Sequence, residues 1–268
     1  MRLASLVAAV AAAPRLSART SRASRVPLGG VRARTHRPRV RGRAFASAAR
    51  DAPGPFPPSW PAPMGEIVSD KVAYKRYLTV FDREVEFAAK DAPGDAPHRV
   101  AYDIVGHPKS NFQFTVVFPF HPATADDEPQ VTLIREYIQA ANAMGYSLPT
   151  GSFDPAKHAT LADAAVDELA EEARLEGGAM TPLLADPSHP GFIESKWCAN
   201  RFKPYMCVGP TQVAEPPPRD PEEFSIEVER VGIDRLRELM YDGGMMLPSI
   251  ITAQMALDAL ERDGTLRR

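Results

Sequence analysis

The sequence predicts an α+β fold in which mixed β-sheets pack against helices. Segments rich in β-branched and aromatic residues, which favour strands, outnumber helical segments along the chain. The strongest helical segment has such strands both before and after it, so we expect a helix packed on a sheet. The chain has 268 residues, enough for one large domain or two small ones.

The first 50 residues differ in composition from the rest. They contain twelve Arg and no Lys, Asp or Glu, whereas residues 51–268 hold 20 basic and 34 acidic residues and sum to −14. An Arg-, Ala- and Ser-rich segment without acids is typical of an organelle transit peptide. Residues 1–50 are therefore predicted to be one, with the chloroplast as the expected compartment and the mitochondrion as the alternative.

A basic arm that binds nucleic acid is the rival interpretation of this leader. The absence of Lys and the abundance of Ala favour the transit peptide. The apolar run at residues 3–13 is too short to span a bilayer. We therefore expect a soluble mature protein with neither a nucleic-acid nor a membrane partner.

Residues 51–65 are predicted to be a Pro-rich linker without regular structure. Residues 66–110 follow as an N-terminal β-strand extension, and residues 111–268 form the main domain. Inside the extension, residues 72–87 are predicted to form two strands joined by a turn at residues 81–84, with a third strand at residues 99–105.

Five further strands are expected in the main domain, besides the acidic helix. They are predicted at residues 111–120 and 130–138, within residues 193–208 as a pair broken at 199–200, and at residues 224–231. The strand at residues 111–120 is the more apolar and is expected to be buried. A short helix over residues 234–241, closed by Gly243, and a final helix capped by Ser249 complete the chain.

The two cysteines, Cys198 and Cys207, are expected to be buried free thiols, with a disulfide across a hairpin as the alternative. No further cysteine is present to complete a four-thiolate metal site.

The segment DAAVDELAEEARLEGG, residues 163–178, carries an unusual concentration of acids. One basic residue, Arg174, accompanies six carboxylates: Asp163, Asp167, Glu168, Glu171, Glu172 and Glu176. An apolar residue every fourth position predicts a helix with one buried stripe, made by Leu161, Ala165, Leu169 and Ala173. Thr160 and Asp163 have the spacing of a capping box. Like charges three and four residues apart repel on such a helix, so something must offset them.

The motifs around this helix resemble the Nudix hydrolase family. Residues 148–151 read L-P-T-G, and residues 168–172 read E-L-A-E-E. These match two parts of that family's signature, G-x5-E-x7-R-E-U-x-E-E-x-G-U, where U is a bulky apolar residue. HPGFIES at residues 189–195 is similar to a loop of the ADP-ribose pyrophosphatase branch. The resemblance covers roughly residues 70–262.

The resemblance implies a Nudix fold, with mixed β-sheets sandwiched between α-helices in an α/β/α arrangement. It also implies a Mg²⁺- or Mn²⁺-dependent hydrolase that cleaves the pyrophosphate bond of a nucleoside diphosphate derivative, such as ADP-ribose or an ADP-sugar. The expected metal ligands are Glu168, Glu171 and Glu172, with the backbone carbonyl of Thr150. Divalent cations would also explain why the acidic cluster is tolerated, because Mg²⁺ prefers oxygen ligands.

The general base and the substrate contacts are predicted in nearby loops and strands. Glu222 and Glu223 are the first choice for the base and Glu194 is the second, while a plain surface position is the alternative for all three. Arg135 is a candidate phosphate ligand, with an edge-strand charge as its alternative. Phe192 is a candidate for stacking on a base, with a place in the core as its alternative. The branch often dimerises through N-terminal strands, so a homodimer is expected through residues 72–87.

Three positions depart from the signature. Lys157 stands where the first signature Glu falls, Asp167 replaces the Arg, and Arg174 replaces the last Gly. The loop before the helix is also two residues longer, counted from Gly151. Asp167 is expected to add one more negative charge, and His158 is assigned no role. The alternative function is therefore a catalytically degenerate Nudix domain that binds a nucleotide or a protein partner.

Overall fold

Two main β-sheets, a two-stranded ribbon and three α-helices organise the part of the chain that the structure describes. This computed structural model describes residues 64–88, 96–219 and 224–266. The predicted transit peptide, and the predicted linker up to residue 63, lie outside these ranges. In chain order the elements are β1 (Gly65–Lys75), β2 (Thr79–Phe87), β3 (His98–Gly106), a 3-10 helix (Pro108–Ser110), β4 (Gln113–His121), β5 (Gln130–Ile138), β6 (Ala143–Ser147), β7 (Thr150–Ser152), α1 (Leu161–Glu171), β8 (Leu175–Glu176), β9 (Ala179–Pro182), β10 (Phe192–Ile193), β11 (Arg201–Val208), β12 (Thr211–Gln212), β13 (Glu227–Gly232), α2 (Ile233–Tyr241) and α3 (Leu247–Arg262).

The first sheet is antiparallel, with the strand order β1-β2-β3. The predicted turn at residues 81–84 is wrong, because these residues lie inside β2 and the chain reverses at residues 76–78. Arg83 explains the error. Its guanidinium pairs with the Asp70 carboxylate of β1 at 2.7 Å. A cross-strand ion pair of this kind stabilises a strand, so the charges that suggested a turn belong to the middle of a hairpin.

The second sheet has eight strands and is mixed. Its central order is β10-β11-β4-β5-β13, with β6 paired to β5, β7 to β4 and β9 to β11. β4 and β11 run parallel, whereas the other pairs are antiparallel. The predicted strands at residues 111–120 and 130–138 are confirmed as β4 and β5. The strand predicted from residue 224 begins only at Glu227.

The side chains of β4 alternate between two hydrophobic clusters, one on each face of this sheet. Val117 packs on the α1 side with Leu161, Leu169 and Tyr205. The even-numbered neighbours of Val117 face a larger cluster formed with α2 and α3, whose members include Val116, Phe118, Phe120, Leu236, Leu239, Leu257 and Leu260. A strand with both faces buried reads as a continuous apolar run. The sheet thus lies between α1 on one side and α2 with α3 on the other.

β4 and β5 separate part-way along their length, and β7 occupies the opening. β4 pairs with β5 only at Phe120 and His121, whereas its residues Phe114 to Val116 pair with β7. The Val117 N–H donates to the Pro149 carbonyl at 2.9 Å, which ties the approach to β7 onto the same strand. This branching places the Thr150-Gly151 backbone beside α1.

Helix α1 begins as the sequence predicts and ends earlier than its acidic run. The Asp163 N–H donates to the Thr160 hydroxyl at 3.3 Å, and the Thr160 N–H donates back to the Asp163 carboxylate at 2.7 Å. This reciprocal pair is the predicted capping box. The helix stops at Glu171, with Glu172 as its C-cap. The predicted stripe of Leu161, Ala165, Leu169 and Ala173 is buried, as expected.

The last helix, α3, begins two residues before the predicted cap. Met246 is the N-cap and Pro248 lies in the first turn, where the missing N–H of proline costs nothing. Ser249 instead lies inside the helix, fully buried, and its hydroxyl accepts the Leu148 N–H at 3.0 Å. α3 thereby supports the chain that leads into β7. Within the described ranges, no helix has both the length and the apolar character needed to cross a membrane.

Cys198 and Cys207 are free thiols, as predicted, but only Cys207 is fully buried, whereas Cys198 is partly exposed. Burial is the main reason that the pKa of Cys198 rises to about 12 and that of Cys207 to about 11. Because the thiolate is the reactive form of cysteine, both side chains are protonated and weakly nucleophilic at neutral pH.

Candidate active site

Two of the three predicted metal-ligand glutamates face β7. Glu172 is 6% exposed, and its Oε2 accepts the Thr150 N–H at 2.7 Å. Glu168 lies one turn earlier on the same side of α1 and is half-buried. A carboxylate buried to this extent needs a partner. The backbone of β7 provides one for Glu172, so tertiary structure fixes this side chain at the sheet edge.

Gly151 is the residue of β7 that allows Glu168 to approach. A Cβ built on Gly151 would overlap the carboxyl group of Glu168. Any side chain at this position would displace that carboxylate. The glycine of the L-P-T-G motif is therefore required for close approach and not for a special backbone angle.

The third predicted glutamate does not complete a cluster. Glu171 is half-buried on α1. In the ranges 64–88, 96–219 and 224–266, no three His, Cys, Asp or Glu side chains stand close enough together to hold one metal ion. The described structure therefore offers a pair of carboxylates at β7, and the full ligand set of Glu168, Glu171, Glu172 and Thr150 stays a prediction.

Asp167, at the signature Arg position, meets a histidine. Its Oδ2 lies 3.2 Å from Nε2 of His158, a residue that is only 8% exposed. Asp167 therefore has a hydrogen-bond partner and does more than add negative charge to the helix. That partner is His158, to which the sequence assigned no role. The longer loop before α1 is the only sequence signal that pointed to this region.

Arg174, at the position of the last signature Gly, adopts the backbone conformation that glycine favours. Its φ of 60° lies in the left-handed region, where a side chain is strained. Its guanidinium donates to the Pro217 carbonyl, and its own carbonyl accepts the Val213 N–H at 3.0 Å. The turn after α1 is thus preserved, and contacts to residues 213–217 hold it.

Arg219 is a site residue that sequence reasoning missed. Its Nη2 donates to the Glu172 carbonyl at 2.8 Å, and its Nη1 donates to the Ile226 carbonyl at 3.0 Å. A cation at a helix C-terminus is favourable because the last carbonyls carry partial negative charge. Arg219 therefore offsets part of the acidic charge at the end of α1. No local pattern marks it, because it lies 47 residues from Glu172 in sequence.

Only one of the three predicted general bases, Glu194, lies within the described residues. Glu222 and Glu223 lie outside the described residues. Glu194 is exposed, and its Oε2 accepts from the Cys198 thiol at 3.1 Å and from the Asn200 amide at 3.5 Å. The choice of base therefore stays a prediction.

The predicted substrate residues both have protein partners. Arg135 is partly exposed, and its guanidinium pairs with Glu227 across β5 and β13 at 2.8 Å. This hydrogen bond is the main reason that the pKa of Arg135 is raised. Phe192 packs on the Phe202 ring at a centroid distance of 5.4 Å, against the larger cluster. β5 is not an edge strand, so Arg135 is a cross-strand ion-pair partner within the sheet, and Phe192 packs as a core aromatic. The binding roles of both residues stay predictions.

Two surface grooves lie away from the glutamates. One, of about 310 Å³, is lined by residues of α2 and α3, and the other, of about 570 Å³, lies between α3 and the β9–β11 edge. Neither is lined by a predicted site residue. The predicted metal ligands lie instead on the α1 side of the sheet.

The fold has a counterpart among solved structures. A crystal structure of an ADP compounds hydrolase matches with a TM-score of 0.55 and 17% sequence identity, covering 76% of this chain and 98% of that chain. No protein-family model and no curated protein sequence matches this chain. At this level of identity the likeness establishes architecture only. The chain shares its mixed-sheet and helix fold with an ADP compounds hydrolase.

Proposed function

We propose that the protein is a metal-dependent Nudix pyrophosphohydrolase acting on a nucleoside diphosphate linked to another group, of the ADP-ribose or ADP-sugar type. The observation that carries this proposal is the buried Glu172 carboxylate, which accepts the Thr150 N–H at 2.7 Å while Glu168 lies against Gly151. Two separate parts of the Nudix resemblance, L-P-T-G and E-L-A-E-E, meet at this point. The fold shared with an ADP compounds hydrolase supports the same conclusion.

The donors at this point suit Mg²⁺ or Mn²⁺. Mg²⁺ is commonly held by one or two carboxylates together with water and substrate phosphates. Glu168 and Glu172 supply two carboxylates, and the Thr150 carbonyl and Glu171 are the further candidates. When bound, the cation would neutralise phosphate charge and make water a better nucleophile. Oxygen donors of this type exclude a preference for soft thiophilic metals.

The proposed reaction is hydrolysis of the phosphoanhydride. A water oxygen forms a bond to one phosphorus, and the bond from that phosphorus to the bridging oxygen breaks. The bridging oxygen leaves with the electron pair on the second phosphate, and the water gives up a proton. The products are a nucleoside monophosphate and the phosphorylated second group. Positioning and charge stabilisation carry most of such a reaction, so the fixed orientation of Glu172 is central.

A carboxylate must accept the proton of the attacking water. We propose Glu222 or Glu223 for this role and Glu194 as the second choice. Arg219 anchors the chain immediately before residues 220–223 to the Glu172 carbonyl. Glu222 and Glu223 follow Arg219 by three and four residues in the sequence, which favours the first choice.

The decisive experiment follows release of nucleoside monophosphate by the full chain. A panel of nucleoside diphosphate derivatives is supplied with Mg²⁺ or Mn²⁺, and Glu172→Gln is compared with the matched control Glu176→Gln, at an exposed position just beyond α1. Loss of a metal contact should cost more than the roughly 10–100-fold typical of outer partners. We expect turnover that disappears in Glu172→Gln and with chelator but persists in Glu176→Gln.

A binding module without hydrolysis is the second candidate function. It is favoured by the lack of a three-carboxylate group among the described residues and by the exposed Lys157 at the position of a signature Glu. Nucleotide binding without turnover, unchanged in Glu172→Gln, would replace the hydrolase with this function.

We also propose that residues 1–50 direct the chain to the chloroplast, with the mitochondrion as the alternative. The composition of the leader supports this location. Microscopy of the full chain carrying a C-terminal fluorescent tag, compared with the chain lacking residues 1–50, tests it. A homodimer through the β1–β2 region is proposed on the resemblance alone, and the mass of the particle in solution tests that proposal.

A further inference from the structure

His158 is a buried histidine whose two ring nitrogens have different hydrogen-bond roles. Its Nδ1 lies 3.1 Å from the Asp154 backbone nitrogen, which can only donate. Nδ1 therefore carries no hydrogen, and Nε2 must hold the ring proton. Nε2 lies 3.2 Å from Oδ2 of Asp167, so the ring donates to that carboxylate. The two contacts thus assign an acceptor role to Nδ1 and a donor role to Nε2.

The segment that contains His158 continues directly from β7. The Phe153 N–H donates to the Gln113 carbonyl of β4 at 3.0 Å, and the His158 N–H donates to the Asp154 carbonyl at 2.8 Å. The Phe153 ring lies 6.0 Å from the imidazole. The loop is therefore a closed turn that carries His158 from the sheet edge to the side of α1.

Three contacts fasten this continuous stretch to α1. The Thr150 N–H binds Glu172, Gly151 packs on Glu168, and His158 binds Asp167. Asp167 precedes Glu168 directly in sequence. Any shift of α1 along or about its axis would disturb all three contacts together, because the helix moves as a rigid element.

Two departures from the signature, the longer loop and Asp167, meet at the third contact. The loop is two residues longer and places His158, next to Lys157, against the helix. Asp at position 167 gives the Nε2–H of His158 an acceptor, which an Arg cannot do because it only donates. The two changes therefore fit one another.

We propose that His158 and Asp167 are a positioning pair, which holds α1 in the register that lets Glu168 and Glu172 meet β7. Its catalytic importance rests on the proposed hydrolase function, but its structural effect does not. The pair acts through the glutamates and touches no reacting atom. The longer loop and Asp167 are thereby one coupled replacement, separate from Arg174.

Amide hydrogen exchange at Thr150 tests the pair without any assay of activity. The Thr150 N–H is protected by its bond to Glu172, so a loosened α1 should expose it. In the full chain we expect His158→Ala to speed exchange at Thr150 by about tenfold or more, while the Phe118 amide in the buried centre of β4 changes less. Equal acceleration at both amides would mean global destabilisation and would overturn the proposal, as would unchanged exchange at Thr150.

Conservative variants test whether the hydrogen bond between His158 and Asp167, and not only the volume of the two side chains, holds α1 in place. In His158→Gln the side-chain amide can still donate to Asp167, and in Asp167→Asn the carbonyl oxygen can still accept, so both should keep Thr150 protected. Asp167→Leu has similar volume and no acceptor, and it should behave like His158→Ala. His121→Ala is the matched control, because it removes a part-buried histidine bonded to Thr132 at the end of β4. A His121→Ala effect equal to that of His158→Ala would refute the pair.

Binding of Mn²⁺ and turnover by the same variants distinguish this inference from the proposed function. If the wild-type chain neither binds Mn²⁺ nor hydrolyses any substrate, the hydrolase proposal fails while the exchange result still decides the pair. If the wild type is active, we expect His158→Ala to weaken Mn²⁺ binding by roughly 10–100-fold, with recovery in His158→Gln. An active His158→Ala with unchanged Mn²⁺ affinity and a protected Thr150 would overturn the pair alone.

Discussion

The two faces of the eight-stranded sheet are built differently from the same strands. Towards α2 and α3, β4 presents Val116, Phe118 and Phe120 to a large apolar cluster. Towards α1, the cluster is smaller, and the buried Thr115 of β4 and Thr132 of β5 fall on this face by alternation. The α1 face also carries the buried glutamate and histidine. The α2–α3 face therefore supplies most of the apolar burial, and the α1 face carries the buried glutamate and histidine.

The difference shows where changes of sequence can accumulate. A large apolar cluster depends on volume and tolerates little loss. Polar contacts depend on matched donors and acceptors, so one change can be accommodated by a second, as with His158 and Asp167. The departures from the Nudix signature all fall at the α1 face and its flanking turns.

Truncation of one buried leucine on each face of the sheet should lower stability in both cases but weaken Mn²⁺ binding only on the α1 face. Leu236→Ala on α2 and Leu169→Ala on α1 each empty a position that is at most 1% exposed. Each should lower the free energy of unfolding by about 2–5 kcal/mol in urea titrations, because a cavity is left behind. Only Leu169→Ala should also reduce Mn²⁺ affinity per folded molecule, since its residue lies beside Glu168. An equal loss of affinity in both variants would contradict the division of roles.

Gly151→Ala should disturb the site more than the fold. The added methyl group would overlap the Glu168 carboxyl group, so that side chain must move. We expect a stability cost of about 1–3 kcal/mol from overpacking. Turnover should fall by roughly 100-fold if Glu168 is displaced by about 1 Å. Gly232→Ala, before α2, is the control, since a Cβ there meets no atom within 4 Å. Full turnover in Gly151→Ala would remove Glu168 from the site.

The variants Arg174→Gly and Arg174→Ala should differ in their free energy of unfolding. Both Arg174→Gly and Arg174→Ala lose the contact to Pro217, so their difference isolates the backbone. Because φ is 60°, the glycine variant should be more stable than the alanine variant by about 1 kcal/mol. Thermal or urea unfolding of the pair measures this. If the alanine variant were as stable as the glycine variant, the left-handed turn after α1 would not be strained.

The smallest expected effect is a pH dependence from His121. Burial, and to a lesser extent Arg230, lower the pKa of this histidine to about 4 from an ordinary value of 6.5. The unfolded chain therefore binds the proton first as the pH falls, and stability present above pH 6.5 is lost towards pH 4. The partial burial of the ring limits the loss to about 1 kcal/mol. Urea midpoints at pH 7 and pH 5 should differ less in His121→Gln than in wild type.

The sequence by itself determined the elements that depend on residues only a few positions apart. The stripe from Leu161 to Ala173 and the Thr160–Asp163 box lie within one helix, so residues a few positions apart were enough to predict α1. The apolar run of β4 likewise predicted a buried strand, because both faces of the sheet are covered. The turn misplaced at residues 81–84 failed for the opposite reason: the partner of Arg83 lies on another strand.

Tertiary structure decided the arrangement of the site. The sequence alone proposed Glu168, Glu171 and Glu172 together, but the branching of β7 from β4 determines that Glu172 meets the Thr150 N–H and that Glu168 meets Gly151. The contacts of Ser249 with Leu148 and of Arg219 with Glu172 join residues far apart in sequence. Hydrogen bonds depend on distances of a few tenths of an ångström. Such distances are fixed only when separate segments pack, so no local pattern could have predicted these pairs.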